Sequence, residues 1–148
     1  MHEDRTEFSL KQELRVKSRQ QEKLPLCFAF HPYFKVDWKY FSLKIDDKHR
    51  RLSDQQKNAE AWIKATPFLF KDTVTVQLSE RLSIIIKAEE SFKTKKQRFY
   101  IWTDYNDYIC VEPVMHDPQL FGTKRGYYIG KEEKKFAVQY TAVIKNKK

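Results

Sequence analysis

The chain has 148 residues, 41% hydrophobic and 15% aromatic, with 3 Gly, 5 Pro and 2 Cys. That is one domain's length with enough apolar material for a core, and it excludes a collagenous, low-complexity or disulfide-stapled chain. The net charge of +9 draws anions over long range, but it is scattered, and no helix-turn-helix, zinc finger or other nucleic-acid module is present.

Residues 8–17 fit two periodicities. Leu10, Leu14 and Lys17 could share a helix face, or Phe8, Leu10, Leu14 and Val16 a strand face with Gln12 the exception. Residues 18–23 form a polar turn. Residues 24–30 predict a buried strand bounded by Pro25 and Pro32, residues 40–45 a short strand, and residues 45–51 a charged turn. Ser53 caps an expected short helix reaching Trp62, and a loop runs through Thr66 and Pro67. Residues 73–78 and 82–88 flank Ser79, Glu80 and Arg81 and predict a hairpin. Residues 99–103 and 108–114 flank an Asx-rich turn at 104–107. Residues 115–126 form a loop long enough to suggest a function. The last strand is plain: Phe136, Val138, Tyr140, Ala142 and Ile144 alternate with their neighbours. Roughly eight or nine strands without crossover helices predict an all-β fold, an antiparallel β-sandwich over residues 1–148.

Cys27 and Cys110 lie in apolar stretches and read as buried free thiols in a reducing compartment. No apolar run approaches the roughly 20 residues of a membrane span. Residues 1–5 are polar, unlike a signal peptide. The expectation is a cytoplasmic protein with no membrane or nucleic-acid partner.

His31 and Glu112 each precede a proline and each close an apolar stretch. Pro32 pushes His31 toward extended backbone. Histidine as a residue type suits a general acid or base, although a packed histidine is an equally open reading. A carboxylate at Glu112, between Val111 and Pro113, is costly unless paired. It is either an ion-pair partner or a base whose pKa burial raises. Asp72 is a turn residue or an acceptor for a hydroxyl. Tyr33, Phe34, Trp38 and Trp102 are core residues or an apolar platform for a sugar ring. The four histidines share no ligand spacing, the cysteines are not paired as zinc ligands, and no glycine-rich phosphate loop is present. No metal or cofactor is expected.

Leu24-Pro25 followed by His31-Pro32-Tyr33-Phe34, and later Cys110-Val111-Glu112-Pro113, resemble in order the signatures of the aldose 1-epimerase (galactose mutarotase) superfamily. The likeness is to the branch with glucose-6-phosphate 1-epimerase-like and uncharacterised bacterial proteins. Residues 68–72 resemble the middle segment and the last strand the closing one. The resemblance implies a shortened β-supersandwich, with His31 as general acid, Glu112 as general base and Asp72 holding sugar hydroxyls. It implies interconversion of the anomers of a hexose or hexose phosphate, against which Tyr33 and Trp102 of the apolar platform could lie. The loop after Glu112 departs from the commoner family pattern in being rich in Lys and Arg, and its Lys124 and Arg125 either attract a sugar phosphate or are solvated surface. Family members are about twice this length, and their N-terminal strands supply an arginine and a second histidine that have no counterpart here. The expectation is therefore a homo-oligomer, or a second chain that supplies strands, to cover an exposed edge. The alternative is a carbohydrate-binding or structural relative without catalysis.

Overall fold

Strands fill the computed structural model, which describes residues 4–19, 23–27, 29–52, 68–89, 97–103 and 106–146. They are β1 (Arg5–Val16), β2 (Leu24–Pro25), β3 (Tyr33–Lys35), β4 (Ser42–Ile45), β5 (Lys48–Arg50), β6 (Phe68–Phe70), β7 (Val74–Gln77), β8 (Leu82–Ala88), β9 (Gln97–Trp102), β10 (Tyr108–Val114), β11 (Tyr128–Ile129) and β12 (Lys134–Lys145). Every pairing is antiparallel. A six-stranded sheet runs β1-β12-β8-β7-β4-β5, a four-stranded sheet runs β3-β10-β9-β6, and β11 pairs with β2. The all-β antiparallel sandwich read from the sequence is the architecture found.

Alternation puts the core between the two larger sheets. From the six-stranded sheet come Leu43, Ile45, Val74, Val76, Ile84, Ile86, Phe136 and Val138, all buried. From the other come Phe70, Phe99, Ile101, Ile109 and Val111. Aromatic rings join the layers. Phe30 stacks on Phe136 at 5.3 Å, and Phe34 meets Tyr140 at 6.2 Å. Phe99 lies between Phe68 and Phe70, at 5.1 and 5.6 Å. Each such ring removed from water contributes about 1.5–3 kcal/mol.

Residues 8–16 are strand, not helix, and Lys17 lies just past its end. Phe8, Leu10 and Leu14 pair with Ala142, Tyr140 and Phe136 and so share the core-facing side. Phe8 and Leu10 are nevertheless 62% and 61% exposed. Near them Gln12 Oε1 and Tyr140 Oη are buried without a hydrogen-bond partner.

The expected buried strand over 24–30 is corrected. Among the described residues of this stretch only Leu24–Pro25 is strand, Leu24 is exposed, and Ala29 makes a single bridge to Val114. Pro25 and Pro32 lack the N–H that a continuous ladder requires. The expected turn at 45–51 is a hairpin. Asp46 and Asp47 both have positive φ, at 48° and 64°, which suits a two-residue turn joining β4 and β5. The Asp46 carboxylate accepts from the backbone N–H groups of Lys71, Asp72 and Thr73 at 2.8–3.2 Å. Burial works against its ionisation, and these three donors still hold its pKa below the usual value. The expected helix at 53–62 and loop at 66–67 lie outside the described residues. In the long loop, Asp117 caps a 3₁₀ turn, Pro118–Leu120, by accepting from the Gln119 N–H at 3.0 Å. No helix among the described residues is long and apolar enough to cross a membrane.

Candidate active site

The register of β3 against β10 brings His31 and Glu112 together. Tyr33 pairs with Cys110, Phe34 with Ile109 and Lys35 with Tyr108. Pro32 interrupts the ladder, yet the same register resumes beyond it: Phe30 N–H donates to Pro113 O at 3.1 Å, and Ala29 bridges Val114. Continued across the gap, that register sets His31 opposite Glu112. On the other side of β10, Trp102 pairs with Cys110 and Tyr100 with Glu112. Side chains alternate, so His31, Tyr33, Trp102, Tyr108, Cys110 and Glu112 all lie on the face of the four-stranded sheet turned away from the core. Ile109, Val111 and Phe99 occupy the core side.

His31 Nε2 is 2.7 Å from Glu112 Oε1. The Glu112 side chain is 3% exposed and the His31 side chain 48%. The carboxyl lies beneath its cross-strand neighbours while the imidazole stays at the surface. Burial pushes the Glu112 carboxyl above its ordinary value; the nearby His31 and the Cys110 thiol oppose the rise in part. The other ring nitrogen is engaged as well, with Nδ1 3.0 Å from Cys110 Sγ. Burial raises the Cys110 thiol strongly, and the Glu112 charge adds to it, so the group stays protonated. The thiol therefore touches both members of the pair. It fixes the ring's orientation and helps to fix its tautomer.

Aromatic rings surround the pair. Tyr33 lies 4.9 Å and Trp102 6.4 Å from the His31 ring. Tyr108 meets Tyr33 edge-on at 5.5 Å and stacks on Trp102 at 5.5 Å. Together they form a mostly apolar surface with one acidic and one basic group at its margin. Oxygen, sulfur and nitrogen donors of Glu112, Cys110 and His31 fall within 4.8 Å of one another. One imidazole offers a metal one nitrogen, and here the thiol and the carboxyl face opposite nitrogens. A shared ion would therefore need the ring to turn.

Other candidates lie elsewhere. Phe34 points into the core, and Trp38 packs on Phe41 at 5.1 Å while its indole N–H donates to Asn106 O. The four-residue platform read from the sequence therefore splits, leaving Tyr33 and Trp102 with Tyr108. Asp72 is not brought to the pair. It follows β6, at the opposite edge of the sheet from β3, and its N–H donates to Asp46 at 2.8 Å. Lys124 and Arg125 are exposed on the loop after the 3₁₀ turn, and among the described residues no contact ties them to His31 or Glu112. Cys110 and Tyr108 were missed as site residues. Even spacing along one strand was the available signal, Cys110 standing two and Tyr108 four residues before Glu112. A cleft of about 610 Å³, lined by Trp38, Phe41, His49, Arg50 and Arg51, lies beside the β4–β5 hairpin and includes neither His31 nor Glu112.

The arrangement of strands, as a fold, has counterparts among solved structures. The chain shares its fold with an Escherichia coli protein described as a "putative aldose 1-epimerase". The two align with a TM-score of 0.60 at 14% identity, over 90% of this chain and 56% of the other. A Synechocystis protein aligns at 0.57, also 14% identical, over 93% of this chain and 51% of its own. The chain thus spans about half the length of the solved structures it matches. No known family pattern and no curated protein sequence matches it.

Proposed function

We propose that the chain carries the acid–base site of an aldose 1-epimerase-type isomerase acting on a hexose or hexose phosphate. The observation that carries this reading is the 2.7 Å contact between a surface imidazole and a buried carboxyl of raised pKa, beside Tyr33, Trp102 and Tyr108. A group whose pKa is lifted toward neutrality suits proton exchange there. The likeness in fold and the ordered His-Pro-Tyr-Phe and Glu-Pro words support the same reading.

In the proposed reaction Glu112, as carboxylate, takes the proton of the anomeric hydroxyl. His31, as imidazolium, gives one to the ring oxygen. The C–O bond of the ring opens to the aldehyde, the carbonyl end rotates, and closure on the other face returns both protons. The aromatic rings stack against the apolar face of the sugar. Because both imidazole nitrogens are engaged in the resting arrangement, His31 must turn outward to reach substrate, and its half-exposed position gives it room.

A second reading is favoured by one fact: the chain spans only about half of the structures it resembles. It is a carbohydrate-binding domain without catalysis. One experiment separates the two. Anomerisation of glucose and of glucose 6-phosphate is followed by polarimetry and NMR exchange, with titration calorimetry alongside. Rate acceleration proportional to protein, lost by about 10²–10⁴-fold in E112Q, supports the isomerase. Binding with no acceleration leaves the second reading, and neither binding nor acceleration overturns both.

A further inference from the structure

Strand β1 ends the six-stranded sheet. It pairs with β12 over its full 12 residues, and no described strand takes its other side. An edge of that length, beyond which no described strand lies, is a template for a further strand. Its two faces carry different messages. The core-facing side presents Phe8 and Leu10, more than half exposed. The outer side reads Arg5, Glu7, Ser9, Lys11, Glu13, Arg15, with its charges arranged about a neutral centre. Lys11 already meets Glu89 at 2.6 Å, and Glu13 meets Lys135 at 2.9 Å, within the sheet.

We infer that two copies of this chain join edge to edge through β1, antiparallel, about a two-fold axis at Ser9. In that register Arg5 faces Glu13 of the second copy and Glu7 faces its Lys11. Phe8 faces its Leu10, and the two Ser9 residues face each other. Each of these charged pairs is of opposite sign, and Phe8 and Leu10 cover one another, while the less exposed Leu14 falls opposite Asp4 at the end of the strand. Neighbouring registers lack this match. Centred on Leu10, Arg5 meets Arg15 and Glu7 meets Glu13. Centred on Phe8, Arg5 meets Lys11. Centred on Lys11, that lysine meets its own copy and Leu10 meets Gln12. Odd shifts turn one copy over, so that its charged face lies beside the other's apolar face. The pattern on one strand thus selects a single self-pairing, and the two core-facing sides come to lie on the same side of a continuous sheet.

The test is the mass of the full chain by sedimentation equilibrium, together with trapping. The wild type is expected to sediment at about twice its 17.9 kDa. Directly opposed residues in an antiparallel pair have Cα atoms about 4.5–5.5 Å apart, inside the range a disulfide spans. S9C is therefore expected to form a covalent dimer under mild oxidation, while Q119C, on the exposed 3₁₀ turn, does not. E7K sets lysine against Lys11 and is expected to weaken self-association about tenfold. E7K/K11E restores the opposite signs and recovers most of the loss. Circular dichroism confirms that each variant is folded. A monomeric wild type overturns the inference. So does a dimer that S9C does not trap and E7K does not weaken, because it joins through another surface.

Discussion

Replacing Glu112 with glutamine isolates the energetic cost of keeping a carboxyl under the His31 ring. The two side chains are nearly the same size, so packing among Tyr100, Cys110 and His31 is kept while the titrating proton is lost. Burial raises the folded-state pKa above the ordinary 4.5. Between the unfolded and folded values the folded chain binds more protons than the unfolded one, so Glu112 lowers stability as pH rises through that window. Its contribution is fully present below pH 4.5 and is lost as the pH passes the folded value. The amide of the E112Q variant has no such loss. Inside the window the stability of E112Q relative to wild type is therefore expected to climb, with a limiting slope of about 1.4 kcal/mol per pH unit. For a domain of this size that is about 3–5 °C in Tm per pH unit. The assay is thermal unfolding of both proteins followed by circular dichroism at closely spaced pH values up to about 8, where most carboxylates have long since ionised. Because His31 opposes the rise in the Glu112 pKa, H31Q is expected to extend the window to higher pH. Parallel Tm curves would refute the argument. So would a gap that closes as pH rises, since that would mean the fold holds the carboxyl ionised.

Thiol chemistry gives a test that needs no substrate. Cys110 is fully buried with a strongly raised pKa, so a C27S chain is expected to show no fast-reacting thiol until it is unfolded. Asp46→Ala removes the acceptor for three backbone N–H groups and leaves alanine at positive φ, costing about 2 kcal/mol in denaturant unfolding. Because the fold holds Asp46 below the usual carboxylate value of 3.8, its contribution is present above that pH and fades as pH falls through the folded value. The gap between wild type and D46A should therefore narrow in acid. Phe99→Ala empties the space between Phe68 and Phe70 and is expected to cost about 3–5 kcal/mol by the same measurement.

Period-two alternation was enough to find β12, and apolar runs set off by the polar turns at 79–81 and 104–107 were enough to find β7, β8 and β10. β5 escaped because Lys48, His49 and Arg50 are all exposed, so an edge strand with no buried side leaves no alternation to read. The stretch 24–30 misled in the opposite way: its apolar content promised a ladder that Pro25 and Pro32 interrupt. At the site, His31 and Glu112 were visible as polar residues in apolar surroundings. Cys110 was not, since a thiol in such a stretch reads as another small hydrophobe. Parity could have corrected the aromatic platform in advance. Tyr33 and Phe34 are consecutive in one strand, so they cannot share a face, and the structure sends one to the site and the other to the core. The pairing of β3 with β10 was beyond reach, because it depends on which of several strands meet and no local pattern specifies that.

The parity of β10 has a practical meaning for anyone who edits this chain. Cys110 and Glu112 alternate along one strand with Ile109 and Val111. Inserting or deleting a single residue between the turn at Asn106 and Glu112 would send the thiol and the carboxyl into hydrocarbon and push isoleucine and valine out onto the other face. Changes of two residues keep each side chain on its own surface and only slide it along. Length variation in this hairpin is therefore constrained to even steps, and a sequence that differs from this one by an odd step there should have lost the His31–Glu112 contact or compensated with a bulge.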